Sequence, residues 1–166
     1  MNRFHCLFSR MFLPAAVLTL AVLLLLISLF ETTQAAYLPS DGGKTLHIIM
    51  YHSILKDPAR TGKYVVTPAQ LKADFEYLRK HGYASVLPRD LVKYAKGEAD
   101  LPEKCVMLTF DDGYYNNLLY LLPLLEEYSF NALISVVGKF TRLYTDSGDK
   151  NPNYAHLSYD DIRLLD

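Results

Sequence analysis

The sequence is 166 residues long, with 17 basic and 18 acidic side chains, 51% hydrophobic residues and a formal net charge of −1. That length suits one domain of modest size or part of a larger one; the near-zero charge excludes a strongly basic nucleic-acid binder, and no Lys/Arg cluster suggests a patch. With 13 Tyr and 8 Phe a disordered chain is excluded, and two cysteines are too few for a disulfide framework or a Cys-rich zinc site.

In chain order, the first feature is residues 11–30, MFLPAAVLTLAVLLLLISLF, which carry no charge. As a helix at about 1.5 Å per residue they reach about 30 Å, the thickness of a hydrocarbon core. Arg3 and Arg10 before the run, with Glu31 after it, place the N-terminus in the cytoplasm and the remainder outside. Residues 1–35 therefore read as a cytoplasmic stub plus either a retained membrane anchor or a signal peptide cleaved near Ala35, where Thr33 and Ala35 are the small residues a signal peptidase needs. On either reading the rest of the chain is exported, as a single-pass protein of the cell membrane or as a secreted one. Residues 36–45, with Pro, Ser and Gly together, read as a linker.

LHIIMY at 46–51 is too short for a helix and Ile-rich, so it reads as a buried strand; 55–66 reads as a loop. The next element is the best punctuated. Thr67 caps it, Pro68 takes the first helical position, Gln70 completes a Thr-x-x-Gln capping box, and Gly82 stops it after Arg79, Lys80 and His81. Leu71, Phe75 and Leu78 share one face. A second strand is expected at 83–87, a short helix at 89–96 closed by Gly97, and a third strand at 105–110. Residues 116–128 read as helical with a kink or restart at Pro123, 132–137 as a fourth strand, 138–156 as a polar loop, and Ser158 with Asp161 as the opening of a last helix. Strand and helix alternate about four times, which argues for a parallel α/β sheet, open or closed as a barrel.

In either arrangement chemistry collects where strands end, and the third strand ends at Asp111-Asp112-Gly113. Two adjacent carboxylates at the mouth of a buried strand are costly to keep side by side; a bound cation offsets that cost, and a carboxylate kept partly desolvated beside it can act as a general base. The plainer reading is a solvated turn whose aspartate caps the following helix. An apolar strand ending in two aspartates also occurs in nucleotide-binding proteins, but no Gly-x-x-x-x-Gly-Lys run accompanies it here.

The run Leu108-Thr109-Phe110-Asp111-Asp112-Gly113 resembles the first motif of the polysaccharide deacetylases, the NodB-homology enzymes of carbohydrate esterase family 4. Met50-Tyr51-His52-Ser53, the Thr-Pro-x-x-Leu helix, His81-Gly82-Tyr83 and Leu101-Pro102 agree in context. The resemblance spans residues 46–166 and implies the first half of a distorted (β/α) barrel, preceded by the transmembrane or signal helix. It implies metal-dependent removal of N- or O-acetyl groups from an extracellular or cell-wall polysaccharide. By the same resemblance Asp111 is the base acting on a metal-bound water, and Asp112 binds the divalent metal, usually zinc. The family's two remaining ligands come from a His-x-x-x-His motif that lies beyond the last helix and does not occur within the 166 residues. The domain is therefore expected to be truncated, the 166 residues alone to be inactive, and the fourth strand to present an unpaired edge.

Of the other histidines, His47 is expected to pack in the core, His81 to offset its helix dipole and His156 to face solvent. His52 follows the first strand on the same face as Asp111 and is the candidate for lining the pocket, a structural hydrogen bond being its plainer role. Two further classes stay open: a non-catalytic module that binds glycan or packs on a partner, and a metal-dependent phosphotransfer protein, which the export signal disfavours.

Overall fold

A computed structural model describes residues 44–165. The apolar run at 11–30 lies outside the described residues, and among the described residues no helix is long and apolar enough to cross a membrane.

The strands are β1 (Leu46–Tyr51), β2 (Ser53–Ile54), β3 (Val65–Val66), β4 (Ala84–Ser85), β5 (Cys105–Phe110) and β6 (Leu133–Ile134). The α-helices are α1 (Pro68–Lys80), α2 (Pro88–Ala95), α3 (Leu122–Tyr128), α4 (Gly138–Ser147) and α5 (Tyr159–Leu165). A parallel α/β sheet is thus in place. Its centre is β5, which is apolar at five of its six positions and buried at the same five, as a strand covered on both faces must be.

β1 runs parallel to β5 along its whole length, from Leu46 opposite Cys105 to Tyr51 opposite Phe110. The other edge of β5 is shared. β4 holds its first two residues and β6 its last two, both in parallel. Val106, Leu108 and Phe110 point to one side of β5, into a core with Leu71, Phe75 and Leu78 of α1 and with Leu121, Leu124 and Phe130. Cys105 and Met107 point to the other, against Val86 and Leu101. This is the two-residue alternation of a strand with two cores to serve.

The described structure departs from the expected outline in five segments. The strands expected at 83–87 and 132–137 shrink to two residues each, because β5 offers each of them only half of one edge. The expected loop at 55–66 holds a 3₁₀ turn, Pro58–Arg60, and the β2–β3 pair closes across it. The expected polar loop at 138–156 begins with α4, a ten-residue helix with no side-chain N-cap. Its Phe140 and Tyr144 stack on His156 instead, a tertiary contact that overrides a weak local signal. Of the buried strand expected at 46–51 only Tyr51 is fully buried: Ile48 and Met50 are 62% and 58% exposed. His47 is likewise exposed rather than packed in the core, and lies edge-on to Tyr83 at 6.0 Å.

Pro123 sits in the first turn of α3, directly after one turn of π-helix at Asn117–Leu121. A proline lacks the N–H that would continue the preceding ladder, so the helix is restarted there.

Candidate active site

The register of β1 and β5 assembles the site. With Tyr51 opposite Phe110, the next residues, His52 and Asp111, leave the sheet at the same level. The Asp111 N–H donates to the Tyr51 carbonyl at 2.9 Å, and the Ser135 N–H donates to the Phe110 carbonyl from the other side at 2.9 Å. Tyr51 itself stacks on Phe110 and donates its hydroxyl to Asp74 Oδ2 at 3.0 Å. Burial, and then the Asp74 charge, push that hydroxyl's pKa well above the ordinary tyrosine value, so it stays a donor.

After Asp111 the chain turns in the left-handed region twice, with φ of 67° at Asp112 and 63° at Gly113. Aspartate tolerates that conformation better than most side chains, and glycine adopts it freely. A Cβ on Gly113 would also meet Val136 Cγ1 at 2.8 Å and the Val136 backbone at 3.1 Å. Glycine is needed here for both reasons.

The turn is braced by residues 155–157. The Leu157 N–H donates to the Gly113 carbonyl and the Tyr115 N–H to the Ala155 carbonyl, both at 2.8 Å. Between them His156 Nδ1 lies 2.8 Å from the Asp112 carbonyl oxygen. His156 is therefore not the solvent-facing loop residue that its sequence context implies. It is buried, with its ring stacked against Tyr114 and Phe140. The local sequence carries no sign of this, because Phe140 belongs to the helix hidden in the presumed loop.

A cavity of about 320 Å³ opens beside the turn, lined by His52, Ser53, Tyr64, Val65, Asp112 and Tyr114. His52 is half-buried, with its ring 4.8 Å from that of Tyr64. Asp111 and Asp112 are both half-buried. Burial, and then the Asp112 charge, raise the pKa of Tyr114 above its usual value. The structure thus brings Asp112 and His52 to one cavity, with Asp111 one residue away on the strand end.

Three contributors escaped the sequence reading. Tyr64 arrives because its carbonyl accepts from the Ser53 N–H at 3.1 Å, a pairing without a sequence signature. Tyr114 follows Gly113 directly, and adjacency to the motif was its only signal. Asn116 is fully buried; its Oδ1 accepts from the Ile54 N–H, and its Nδ2 donates to Ser53 Oγ and to the Pro152 carbonyl. It ties the His52 segment and the brace to the helix that follows the aspartates. Asn117 beside it is also buried, and neither its Nδ2 nor its Oδ1 has a partner.

Asp112 brings one carboxylate to the cavity. Among the described residues no group of three His, Cys, Asp or Glu gathers closely enough to hold a metal ion. A catalytic zinc site takes about three protein ligands, so these residues do not by themselves fit one.

The class follows from fold and site together: a parallel α/β protein with a carboxylate pair at the end of its central strand, where such folds place their chemistry. Residues 98–161 match the family described as polysaccharide deacetylase. The chain is 31% identical over 110 residues to YxkH of Bacillus subtilis (strain 168), covering 66% of this chain and 38% of that protein. It is 32% identical over 92 residues to the poly-beta-1,6-N-acetyl-D-glucosamine N-deacetylase of Escherichia coli (strain K12), covering 55% of this chain and 14% of the relative. Its fold is similar to that of a de-N-acetylase from Aggregatibacter actinomycetemcomitans, with a TM-score of 0.62 and 25% identity over 72% of this chain and 50% of the other. These matches indicate a polysaccharide deacetylase domain of the NodB type that covers part of the chain. It spans well under half the length of these curated relatives and half that of the solved structure.

Proposed function

We propose that this chain supplies the carboxylate side of the active site of a deacetylase acting on an acetylated polysaccharide. One observation carries the reading: parallel strand ends bring Asp112 and His52 to one cavity, with Asp111 next to it on the strand end, in a domain similar to named N-deacetylases. Asp111 is the base, taking a proton from the attacking water. Asp112 is the residue that would help to hold a divalent cation, zinc by family resemblance. When bound, such an ion acts as a Lewis acid that polarises the acetyl carbonyl and acidifies water. His52 lines the same cavity. Tyr64 and Tyr114 offer ring faces on which a sugar can pack.

This reading also takes residues 46–166 as the first half of a distorted (β/α) barrel, carried across or held at the membrane by residues 11–30. The His-x-x-x-His pair does not occur within the 166 residues, and on this reading no acetate release is expected from them alone with added zinc. In a chain extended to include a His-x-x-x-His pair, Asp111→Asn should abolish acetate release while most of the metal stays bound. Asp112→Ala should lose metal and activity together. Equal metal loss in the two variants overturns the division of roles. Fractionation with protease shaving tests the export, which fails if residues 37–166 stay cytosolic and protected. The second reading is a glycan-binding module without catalysis, which the incomplete ligand set favours. It predicts that acetylated chito-oligosaccharides shift the Tyr64 and Tyr114 resonances without acetate release from the extended chain.

A further inference from the structure

We infer that His156 is a positioning residue for Asp112: its imidazole, clamped by aromatic rings, holds the Asp112 backbone in the conformation that turns its carboxylate toward the cavity. The inference rests on the reading of Asp112 as a working carboxylate.

The contact is directional. A peptide carbonyl only accepts, so the 2.8 Å contact between His156 Nδ1 and the Asp112 oxygen requires the proton on Nδ1. The ring is not free to turn away. It stacks against Tyr114 at 4.6 Å and Phe140 at 4.5 Å, with Tyr144 at 5.5 Å, each within about 30° of parallel. The hydrogen bonds of Leu157 to Gly113 and of Tyr115 to Ala155 flank the contact on both sides. The donor is therefore built in by the chain on either side of it and by α4.

What it holds is the costly part of the turn. Asp112 and Ser129 are the only described residues other than glycine with positive φ, and Asp112 is the one that lines the cavity. A residue with a Cβ stays in that region only where its surroundings impose it. Release of the Asp112 carbonyl would let φ return to negative values and swing the carboxylate away from His52. Hydrogen bonds behind a ligand commonly decide its aim in this way.

Two substitutions in the full 166-residue chain separate the donor from the ring. His156→Phe keeps a stacking ring without the donor; His156→Asn sets an amide Nδ2 where Nδ1 stands, without the ring. Two measurements read the effect without activity. The three-bond amide coupling of Asp112 reports its φ. Line broadening by Mn²⁺ at the Asp112 and His52 resonances reports how the carboxylate is presented to a cation. We expect His156→Phe to fold, to shift the Asp112 coupling, and to need about ten-fold more Mn²⁺ for the same broadening. His156→Asn should recover most of that loss even if it melts earlier. If His156→Phe leaves both the coupling and the Mn²⁺ response at wild-type values, the ring only packs and the inference is overturned. Failure of Mn²⁺ to broaden wild-type Asp112, with the coupling still shifted in His156→Phe, sinks the metal reading and leaves the positioning role standing. Should both variants unfold, the wild-type scalar coupling between His156 Nδ1 and the Asp112 carbonyl carbon decides: its presence supports the inference and its absence overturns it.

Discussion

At residue scale the turn after β5 is the most constrained point of the chain. Gly113 meets two demands at once, a φ of 63° and the close approach of Val136. Gly113→Ala should cost about 2 kcal/mol, from left-handed strain together with the crowding of Val136. Urea denaturation checks this. Adding Val136→Ala should recover only part of the loss, since it removes the clash with Cγ1 but leaves the Val136 backbone as close and the φ of residue 113 unchanged. Full recovery would show that φ contributes nothing. Gly113 was legible in the motif, whereas the φ of Asp112 and the bond from His156 depend on residues some 44 positions away.

Among the elements, helix ends were read well and short strands poorly. The Thr67 box is present in full: the Thr67 N–H donates to Gln70 Oε1 at 2.8 Å, and the Gln70 N–H donates to Thr67 Oγ1 at 3.1 Å. Thr67→Ala should lower stability by about 1 kcal/mol in a thermal or urea melt. The Ser158–Asp161 pair at the start of α5 also forms, with Asp161 buried and bonded to Ser158 and to Lys150 Nζ at 2.9 Å. Burial pushes the Asp161 carboxyl up, but the Lys150 ammonium and the Ser158 donors outweigh it and hold the carboxyl below its ordinary value of 3.8. A depressed carboxyl pKa contributes stability that is complete above the unfolded value and lost as pH falls through the folded one. Stability should therefore decline below about pH 4, and Asp161→Asn should flatten that part of the profile. An unchanged acid limb would locate the acid sensitivity elsewhere. Caps are local, three or four residues long, and so legible. The lengths of β4 and β6 are settled by how much of the β5 edge each can reach.

For the described unit as a whole, the notable feature is apolar surface without a cover. Ile48 and Met50 stand exposed on one face of β1. An apolar cavity of about 380 Å³ lies between α3, β6 and α5, lined by residues that include Leu125, Ile134, Val136 and Ile162. Sheets of this class usually bury both faces, so these exposed apolar surfaces stand out among the described residues. In the 166-residue chain, Ile48→Lys with Met50→Lys should leave stability within about 0.5 kcal/mol, as for other exposed positions. The double variant should also lower self-association in sedimentation velocity. A large loss of stability would mean that this face is covered in solution.

The sequence by itself determined the α/β alternation, the caps of α1 and α5, the central apolar strand and the family motif at its end, because each is written within a few neighbouring residues. The family comparison then agreed with that motif. Tertiary structure decided which side chains meet. The parallel register of β1 with β5 brings His52 level with Asp111, α4 carries Phe140 and Tyr144 to His156, and the segment around His156 locks the Asp112 turn. Those contacts join residues dozens of positions apart. Their energies come from packing and from shared edges of one sheet, which no local pattern of residues encodes.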